Sequence, residues 1–238
     1  MPSNLPVTPA DPSLPVSGRH STKDRLLGLL RRHGARTVDD LVTATGLAAM
    51  TVRQHLAALE RDGLVQVAGA RGGPGRPRHV YSLTDAGEET FPKRYDRFAA
   101  ALLRVIGDLD GHELLGLTPA QKQELALVRL AEREAGPHLR RLARASLPQR
   151  VAAVTNLLQA EGGMAEWERT EDGYEIRDYN CVYRRLAQGQ PSVCLWHLNL
   201  LGRLLGAPVR PGEPGLARGG ECCRFAVSTN GSQDHAGA

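Results

Sequence analysis

The sequence has no hydrophobic run long enough to cross a membrane and no signature of a common enzyme. Its apolar stretches fall short of about 18 residues and no signal-peptide pattern opens the chain, so we expect a cytoplasmic protein with no membrane partner. A C-x-x-C pair, a C-x3-C-x2-C cluster, a phosphate-binding glycine loop and a nucleophile elbow are all missing. These absences argue against a thiol redox catalyst and a cluster-dependent radical enzyme, and we predict that the protein is not an enzyme.

Aromatic residues and cysteines are also scarce. Aromatic side chains make up 4% of the 238 residues, although the hydrophobic content of 41% is ordinary for a soluble protein with room for two domains. The four cysteines, Cys181, Cys194, Cys222 and Cys223, all lie in the last quarter of the chain. Because disulfides are rare in the cytosol, this clustering indicates a metal or redox site.

Charge is distributed unevenly, which the net charge of +4 conceals. Between Arg19 and Leu83 there are 11 Lys and Arg residues against 5 Asp and Glu, a net charge of +6. The rest of the chain has 19 against 21, a net charge of −2. Positive charge confined to one segment is the pattern expected of a protein that binds nucleic-acid phosphates.

This basic segment has the pattern of a helix-turn-helix. Ser21 or Thr22 can cap a first helix that ends at Gly34, and Thr37 can cap a short second helix that ends at Gly46. A third helix is expected over 48–62, with apolar residues at i, i+4 and i+7 that must face a core. These apolar residues are Val52, Leu56 and Leu59. The glycine between the second and third helices supplies the tight turn of the motif.

A basic β-hairpin is predicted directly after the third helix. Residues 64–67 and 80–83 have the character of strands, and the connection between them is too rich in Gly, Pro and Arg for helix or core. A hairpin tipped by arginines in this place is a wing that contacts the DNA backbone or minor groove. The alternative is a solvated basic loop beside an ordinary helical hairpin. The agreement of turn, helix period and hairpin favours a winged helix-turn-helix.

The predicted DNA-binding residues lie on the exposed face of the third helix and in the wing. Short or planar hydrogen-bonding side chains can read base edges in the major groove, and guanidinium groups bind phosphates. The residues predicted to contact DNA are Thr51, Arg53, Gln54, His55, Arg71, Arg76 and Arg78.

A long amphipathic helix is expected beyond the interruption at Pro92. Its apolar positions have helical spacing, at Phe98, Leu102, Val105, Ile106 and Leu109. A helix of this kind directly after a winged helix usually pairs with its twin. We therefore predict a homodimer on a palindromic operator in double-stranded DNA. The alternative is that this face packs within its own subunit.

The cysteines follow a second pattern, in a part of the chain that mixes helices with strands. The spacings Cys181-x12-Cys194 and Cys194-x28-Cys223 lack the short knuckle of zinc ribbons, although three thiolates and His197 could hold zinc. Each candidate ligand lies where one predicted element meets another. Thiolates from separate elements that converge on a buried pocket suit an iron–sulfur cluster. Cysteines buried as small hydrophobic residues are the alternative, and spacing alone leaves both open.

Between about Ser21 and Val227 the chain resembles the SufR family, bacterial repressors with a winged helix and an iron–sulfur sensor. The resemblance is carried by TVRQHLAALERDGLV with GRPRHVYSLTDAG, by FPKRYD, and by the cysteine pattern NC…C…GGECCRF. It implies a repressor of cluster assembly genes that holds a [4Fe–4S] cluster on Cys181, Cys194 and Cys223. Members with four ligating cysteines have a further one where Pro208 lies here. The fourth ligand is therefore open among Cys222, His197, Asn180, an acidic side chain and an exchangeable small molecule.

The predicted fold class is α+β, with an N-terminal winged helix-turn-helix, a long dimerisation helix and a C-terminal α+β sensor domain. The predicted segments are a disordered lead at 1–20, the winged helix-turn-helix DNA-binding domain at 21–90, dimerisation and connecting helices at 91–145, the iron–sulfur sensor domain at 146–228 and a tail at 229–238. We expect the cluster-bound form to bind the operator tightly and the apo form weakly, with the dimer helices transmitting the change. The alternative is a winged-helix regulator that senses zinc or a small apolar ligand.

Overall fold

The computed structural model describes residues 21–71 and 78–229. It has the predicted α+β architecture, with a winged helix-turn-helix, a helical middle and a C-terminal four-stranded sheet flanked by helices. The predicted lead at 1–20, the tip of the wing at 72–77 and the predicted tail beyond Thr229 lie outside the described residues.

Capping residues decide where the first helices begin and end. Helix α1 (Thr22–His33) is capped by Ser21 and helix α2 (Val38–Thr45) by Thr37. Each cap exchanges hydrogen bonds with an aspartate three residues further on, which satisfies amide groups at the helix start. Gly46 ends α2 with a φ of 72°, a left-handed conformation that glycine adopts without steric cost. The predicted caps and turn are confirmed, and helix α3 (Ala49–Arg61) follows.

The three helices share one leucine-rich core. Val52, Leu56 and Leu59 of α3 are at most 1% exposed, which confirms the predicted apolar stripe. They belong to the same buried cluster as Leu26 and Leu30 of α1. Burial of each such side chain contributes roughly 1.5–3 kcal/mol to folding. The position of α3 therefore depends on the position of α1.

The predicted wing strands are present and are longer than the sequence indicated. The sheet has the strand order β1-β3-β2 and is antiparallel throughout. Its strands are β1 (Arg36–Thr37), β2 (Val65–Arg71) and β3 (Arg78–Leu83). Pairing of β2 with β3 extends from Val65 opposite Leu83 to Arg71 opposite Arg78. Backbone hydrogen bonds do not require apolar side chains, so the ladder continues past the apolar residues from which the strands were predicted.

A short helix joins the wing to the rest of the chain. Helix α4 (Asp85–Glu89) is capped by Thr84, whose side chain accepts a hydrogen bond from the N–H of Gly87. A Cβ atom at Gly87 would lie 2.0 Å from the carbonyl oxygen of Leu64, so only glycine allows this close packing. The helix ends before Pro92, where the sequence predicted an interruption.

The helical middle consists of α5 (Tyr95–Asp108), α6 (Gly111–Leu114) and α7 (Pro119–Leu142). Phe98 and Val105 of α5 are 6% and 3% exposed, because they pack on a cluster formed within the same chain. Leu102 and Leu109 lie against that cluster as well. The face predicted to form the dimer is thus largely covered by its own subunit, as the alternative interpretation had it. Of the predicted face, Ile106 remains well exposed.

The C-terminal part is an antiparallel sheet packed against helices, with the strand order β4-β5-β7-β6. Its elements are α8 (Leu147–Ala160), β4 (Ala165–Arg169), β5 (Gly173–Asp178), α9 (Arg184–Gly189), α10 (Ser192–Leu205), β6 (Val209–Gly212), the 3-10 turn η1 (Leu216–Arg218) and β7 (Cys223–Ser228). Ile176, Phe225 and Leu201 lie in its core. The sequence did not predict α9, β6 or η1, which are too short to show a period.

Candidate functional site: a DNA-binding surface and a cysteine cluster

The exposed face of α3 carries most of the side chains predicted to read DNA. Arg53 and Gln54 are exposed, whereas Thr51 and His55 are half-buried beside the core. Met50 is 64% exposed in the first turn of α3, and sequence reasoning did not include it. Its exposure on the DNA-reading face is what singles it out, because this large apolar side chain is not buried in the core of the domain. The accessible surface of α3 therefore presents Met50, Arg53 and Gln54.

The wing is the second part of the DNA-binding surface. Arg71 and Arg78 are partners in the backbone register of β2 and β3, and Arg76 lies outside the described residues. The Arg78 guanidinium forms an ion pair with Asp39 of α2, with Nη1 and Oδ2 2.7 Å apart. Both side chains are exposed, so this ion pair contributes at most about 1 kcal/mol and a phosphate can compete for the arginine.

The fold brings Cys181, Cys194 and Cys223 together. Cys181 follows the end of β5, and Cys223 begins β7, where it pairs with Asp178 across the sheet. Cys194 lies in the first turn of α10, close enough to Cys181 for the two groups to interact electrostatically. The pairing of β5 with β7 is what joins two cysteines that are far apart in sequence.

The thiols of Cys181 and Cys223 are neighbours. A hydrogen bond from the Cys223 thiol lowers the pKa of Cys181, and the N–H of Tyr183 acts in the same direction. The same bond and burial raise the pKa of Cys223, which accepts a hydrogen bond from the N–H of Leu216. Burial raises the pKa of Cys194. Cys181 is therefore the first of the three to become a thiolate, the form that binds metals.

Cys222 differs from the other three cysteines. It is 6% exposed, and the guanidinium of Arg224 hydrogen-bonds to it, which raises the pKa of Arg224. Cys222 therefore has a partner of its own in Arg224, which sets it apart from the neighbouring thiols of Cys181 and Cys223.

His197 packs among aromatic rings. Its ring centroid lies 6.2 Å from that of Tyr183, 5.8 Å from that of Trp196 and 5.6 Å from that of Phe225. Burial lowers the pKa of His197 to about 4, so the imidazole is neutral near pH 7. A neutral imidazole can bind a metal, but here the ring contributes to the core.

A glycine-rich loop covers Cys223. A Cβ atom at Gly215 would lie 3.7 Å from the Cys223 sulfur, so the loop backbone is in contact with the thiol. At Gly220 a Cβ atom would lie 1.9 Å from the carbonyl oxygen of Pro214, and any side chain there would force the loop open. The loop also carries Arg218 and Glu213, which pair at 3.1 Å and act on Cys194. Sequence reasoning missed Gly220, because its role depends on the folded loop.

Polar side chains beside Cys181 are fully engaged. Asn180 is 1% exposed, and its amide nitrogen donates to the carbonyl oxygens of Pro92 at 3.2 Å and Gly162 at 2.7 Å. Its amide oxygen accepts a hydrogen bond from Lys93 at 3.0 Å. The buried carboxylate of Asp178 accepts hydrogen bonds from the N–H groups of Met164 and Asn180, and burial raises its pKa to about 6. Asn180 therefore holds the segment before Cys181 in place, with both its amide nitrogen and its amide oxygen used in hydrogen bonds.

The donor set can be compared with two kinds of metal group. Within residues 21–71 and 78–229, no three side chains of His, Cys, Asp or Glu converge closely enough to hold a single ion. An iron–sulfur cluster spreads its thiolate ligands over several irons, so it needs convergence but not such close approach. Half-buried thiols with N–H donors to sulfur, as at Cys181 and Cys223, are the kind of environment that tunes such clusters. The residues therefore fit a cluster better than a single zinc ion.

The fold and the surface define a winged helix-turn-helix DNA-binding domain joined to a cysteine-containing α+β domain. Residues 20–67 match the family described as bacterial regulatory protein, arsR family. The match spans the three helices and the start of the wing, so this part of the chain is an ArsR-family DNA-binding domain. The chain is a DNA-binding transcriptional regulator. Comparisons with curated proteins and with solved structures gave no significant match.

Membrane-spanning helices are not found in the described part of the chain. None of the helices there is both long enough and apolar enough to cross a bilayer.

Proposed function

We propose that this regulator is a repressor related to the SufR family, which controls iron–sulfur cluster assembly genes through a [4Fe–4S] cluster held by Cys181, Cys194 and Cys223. The observation that carries the proposal is that the β5–β7 pairing brings Cys223 to Cys181, with Cys194 close enough to interact with Cys181, in a chain that has a DNA-binding domain. When bound, the cluster supplies a cross-link that is sensitive to oxidation and to iron supply. Without the cross-link, the segments that carry the thiols are held by weaker contacts, among them the β5–β7 pairing.

The fourth ligand is proposed by elimination among the candidates. Cys222 is engaged by Arg224, Asn180 by three hydrogen bonds, and His197 by its aromatic neighbours. This leaves an acidic side chain or an exchangeable small molecule. Glu213 is the acidic side chain of the loop that acts on Cys194. An exchangeable or weakly held fourth position would make the cluster labile, which suits a sensor.

Purification without oxygen tests the proposal. We expect a brown protein with visible absorption and with iron and acid-labile sulfide in equal amounts. The cluster-bound protein should bind its operator more tightly than the apo protein at the same salt concentration, by roughly 5- to 150-fold for a coupling of ordinary size. Colourless protein, or equal operator affinity with and without the cluster, would contradict the sensor mechanism while leaving the DNA-binding assignment intact.

We also propose that the regulator binds a palindromic operator as a homodimer. The predicted face of α5 is partly used within the chain, so the interface is assigned to the exposed apolar residues of α5. These are Ile106, from the predicted face, and Leu103, which was not part of it, and they are 52% and 69% exposed. Leu115, directly after α6, is 72% exposed as well. Large apolar side chains exposed on neighbouring elements commonly mark an interface.

A second candidate function is favoured by an apolar cavity of about 380 Å³ between α5, α7 and α10. Its lining includes the apolar side chains of Phe98, Leu102, Leu127 and Val193. Lys122 adds one basic residue to the lining. Such a cavity is the kind of site that a small apolar ligand occupies. A shift in operator affinity caused by an apolar ligand in colourless protein would favour this alternative, whereas loss of affinity on removal of iron would favour the cluster.

A further inference from the structure

Arg31 is a buried arginine in the DNA-binding domain. The residue is 7% exposed, and arginine is almost never buried this far without a partner. Its Nη1 atom lies 2.6 Å from Oε1 of Glu88 on α4, and Glu88 is also buried. The carboxylate neutralises the charge but uses only part of the guanidinium.

The remaining donors of Arg31 reach the two segments that carry the paired thiols. Its Nε atom donates a hydrogen bond to the carbonyl oxygen of Tyr179, two residues before Cys181. Its Nη2 atom donates to the carbonyl oxygen of Glu221 at 3.2 Å, two residues before Cys223. The guanidinium is a rigid planar fork, so it can satisfy both carbonyls only while they keep one relative position.

The backbone of Arg31 belongs to the core that positions α3. Leu30, its neighbour, is 2% exposed and lies in the cluster that also contains Leu56 and Leu59 of α3. A displacement of Arg31 therefore moves α1, and α1 carries α3 with it because close-packed side chains transmit small shifts. This path runs within one chain and does not pass through the dimer helices.

We infer that Arg31 is the positioning residue that couples the cysteine segments to α3. The inference rests on the proposed function, since it names how that site acts on DNA. With the segments before Cys181 and Cys223 held together, Arg31 keeps both carbonyl partners and α1 keeps one orientation. When the segments separate, a buried donor loses its partner, and the cost favours a shift of α1 that restores the hydrogen bond.

The double variant Arg31→Met with Glu88→Gln tests the inference. Removing both charges together avoids leaving one buried charge unpaired. The control is Arg97→Met, which breaks the ion pair of Arg97 with Glu161 but removes no hydrogen bond to a cysteine segment. Operator affinity is measured anaerobically for the cluster-bound and apo forms of each protein at one salt concentration, with iron and sulfide determined in parallel.

We expect the wild type and Arg97→Met to lose operator affinity by the same factor when the cluster is removed. In the double variant the two forms should differ by less than about twofold, although iron and sulfide contents match those of the wild type. If the double variant keeps the wild-type ratio, the inference is overturned. If the wild type itself shows no ratio, the proposed function fails instead, so the two failures are distinguishable.

A second measurement needs no cluster. Because coupling between two sites is reciprocal, operator DNA must affect the cysteine segments of the apo protein if α3 is linked to them. We expect added operator DNA to slow amide hydrogen exchange in residues 179–181 and 221–223 of the wild type and of Arg97→Met. In the double variant, and in Arg31→Lys, which keeps the charge but not the planar fork, the DNA should leave exchange there unchanged. Unchanged exchange in the wild type would overturn the inference even in a variant that cannot hold iron.

Discussion

At the residue scale, the role of each polar side chain follows from the partners it already has. Asn180 and Cys222 are of types that bind iron, but their neighbours occupy them. Cys181 differs from them, because the neighbouring thiol of Cys223 stabilises its thiolate form, which is the form that binds metals. Met50 has no partner in the folded core and is exposed where α3 would meet DNA. Two predictions belong to this scale.

The first prediction concerns sequence recognition by α3. Replacing the exposed Gln54 with Ala should change the preferred operator at one base pair, because a bidentate amide contact to a base contributes roughly 1–3 kcal/mol of discrimination. Selection from a randomised operator library would measure the change. Glu60→Ala, at an exposed position one residue before the end of α3, is the control. The same preferred sequence in wild type and Gln54→Ala would rule out base reading by this residue.

The second prediction concerns pH and two buried groups with opposite effects on stability. The pKa of Asp178 is raised to about 6, so its contribution to stability is present at low pH and is lost as pH rises towards 6. The pKa of His197 is lowered to about 4, so its contribution is present above the unfolded pKa of 6.5 and is lost as pH falls towards 4.

The effects of Asp178 and His197 on stability oppose each other between about pH 4 and 6. A variant that removes the titration of Asp178 separates them. Asp178→Asn should lose more stability than the wild type when the apo protein is taken from pH 7 to pH 4.5. A shift of about two pKa units corresponds to about 3 kcal/mol at most. Urea unfolding at both pH values measures the difference, and parallel losses in the two proteins would show that Asp178 does not titrate as described.

At the element scale, exposed and buried faces decide what each helix and strand can do. The stripe of α3 is buried as predicted, which leaves its other face for DNA. The apolar face of α5 was predicted to meet a second subunit, but Phe98 and Val105 lie in the core of their own. Arg71 and Arg78 are paired at the far end of the β2–β3 ladder, beyond an irregularity in the register between Val67 and Gly69. The next two predictions concern the wing and α5.

The third prediction concerns the wing. Replacing Arg76 and Arg78 with Ala should weaken binding to all DNA sequences, since phosphate contacts carry no sequence information. The slope of log affinity against log salt concentration should fall by about 0.9 for each phosphate that the variant no longer neutralises. Asp39→Asn is the matched variant with the opposite expected effect on DNA affinity, because it removes a negative charge and frees Arg78 from its ion pair. Unchanged affinity and slope in the double alanine variant would contradict the wing assignment.

The fourth prediction concerns the dimer. Leu103→Glu should lower both the dimer content and the operator affinity, since two half-sites must be bound together. Leu103 is 69% exposed, so the free energy of unfolding of the subunit should change by less than about 0.5 kcal/mol. Sedimentation measures the dimer content. Trp167→Glu, at a 40% exposed position on β4, is the control, and a fully dimeric Leu103→Glu protein would place the interface elsewhere.

At the scale of the whole molecule, the cysteine domain packs directly against the DNA-binding domain. Besides Arg31, the Arg32–Glu166 pair at 2.6 Å and the Arg184–Asp85 pair at 3.0 Å cross between them. Lys93 joins the same contact through Asn180. These contacts lie within one chain and are the direct connection on which the proposed coupling through Arg31 relies.

The fifth prediction concerns the cysteines as a set. Serine at Cys181, Cys194 or Cys223 should abolish the cluster and give the operator affinity of the apo protein. Serine at Cys222 should keep iron and sulfide near wild-type amounts, because this thiol is engaged elsewhere. Visible absorption and operator affinity measure both effects. Equal loss of iron in all four variants would make Cys222 a ligand and would contradict its assignment here.

Local physics let the sequence alone determine the winged helix-turn-helix. Caps at Ser21 and Thr37, the left-handed turn at Gly46 and the i, i+4, i+7 stripe of α3 each depend on residues a few positions apart. The wing followed from the same kind of signal, although its strand ends did not, since pairing continues wherever the backbone permits. The cysteine spacing left a metal site and core cysteines both open, and the family resemblance, which grouped Cys181, Cys194 and Cys223, did not say how these residues meet in the fold.

Only the tertiary structure decided what depends on residues distant in the chain. The β5–β7 pairing brings Cys223 to Cys181, and close packing of the loop makes glycine necessary at position 220. The apolar face of α5 can pack against a second copy of the chain or against other helices of the same chain. Helical periodicity predicts the face but does not indicate which of the two surfaces it contacts. The placement of Arg31 is of the same kind. From its sequence neighbours, Arg31 would be an ordinary surface charge at the end of α1. In the folded chain it is buried and donates hydrogen bonds to two carbonyl oxygens and one carboxylate from distant segments.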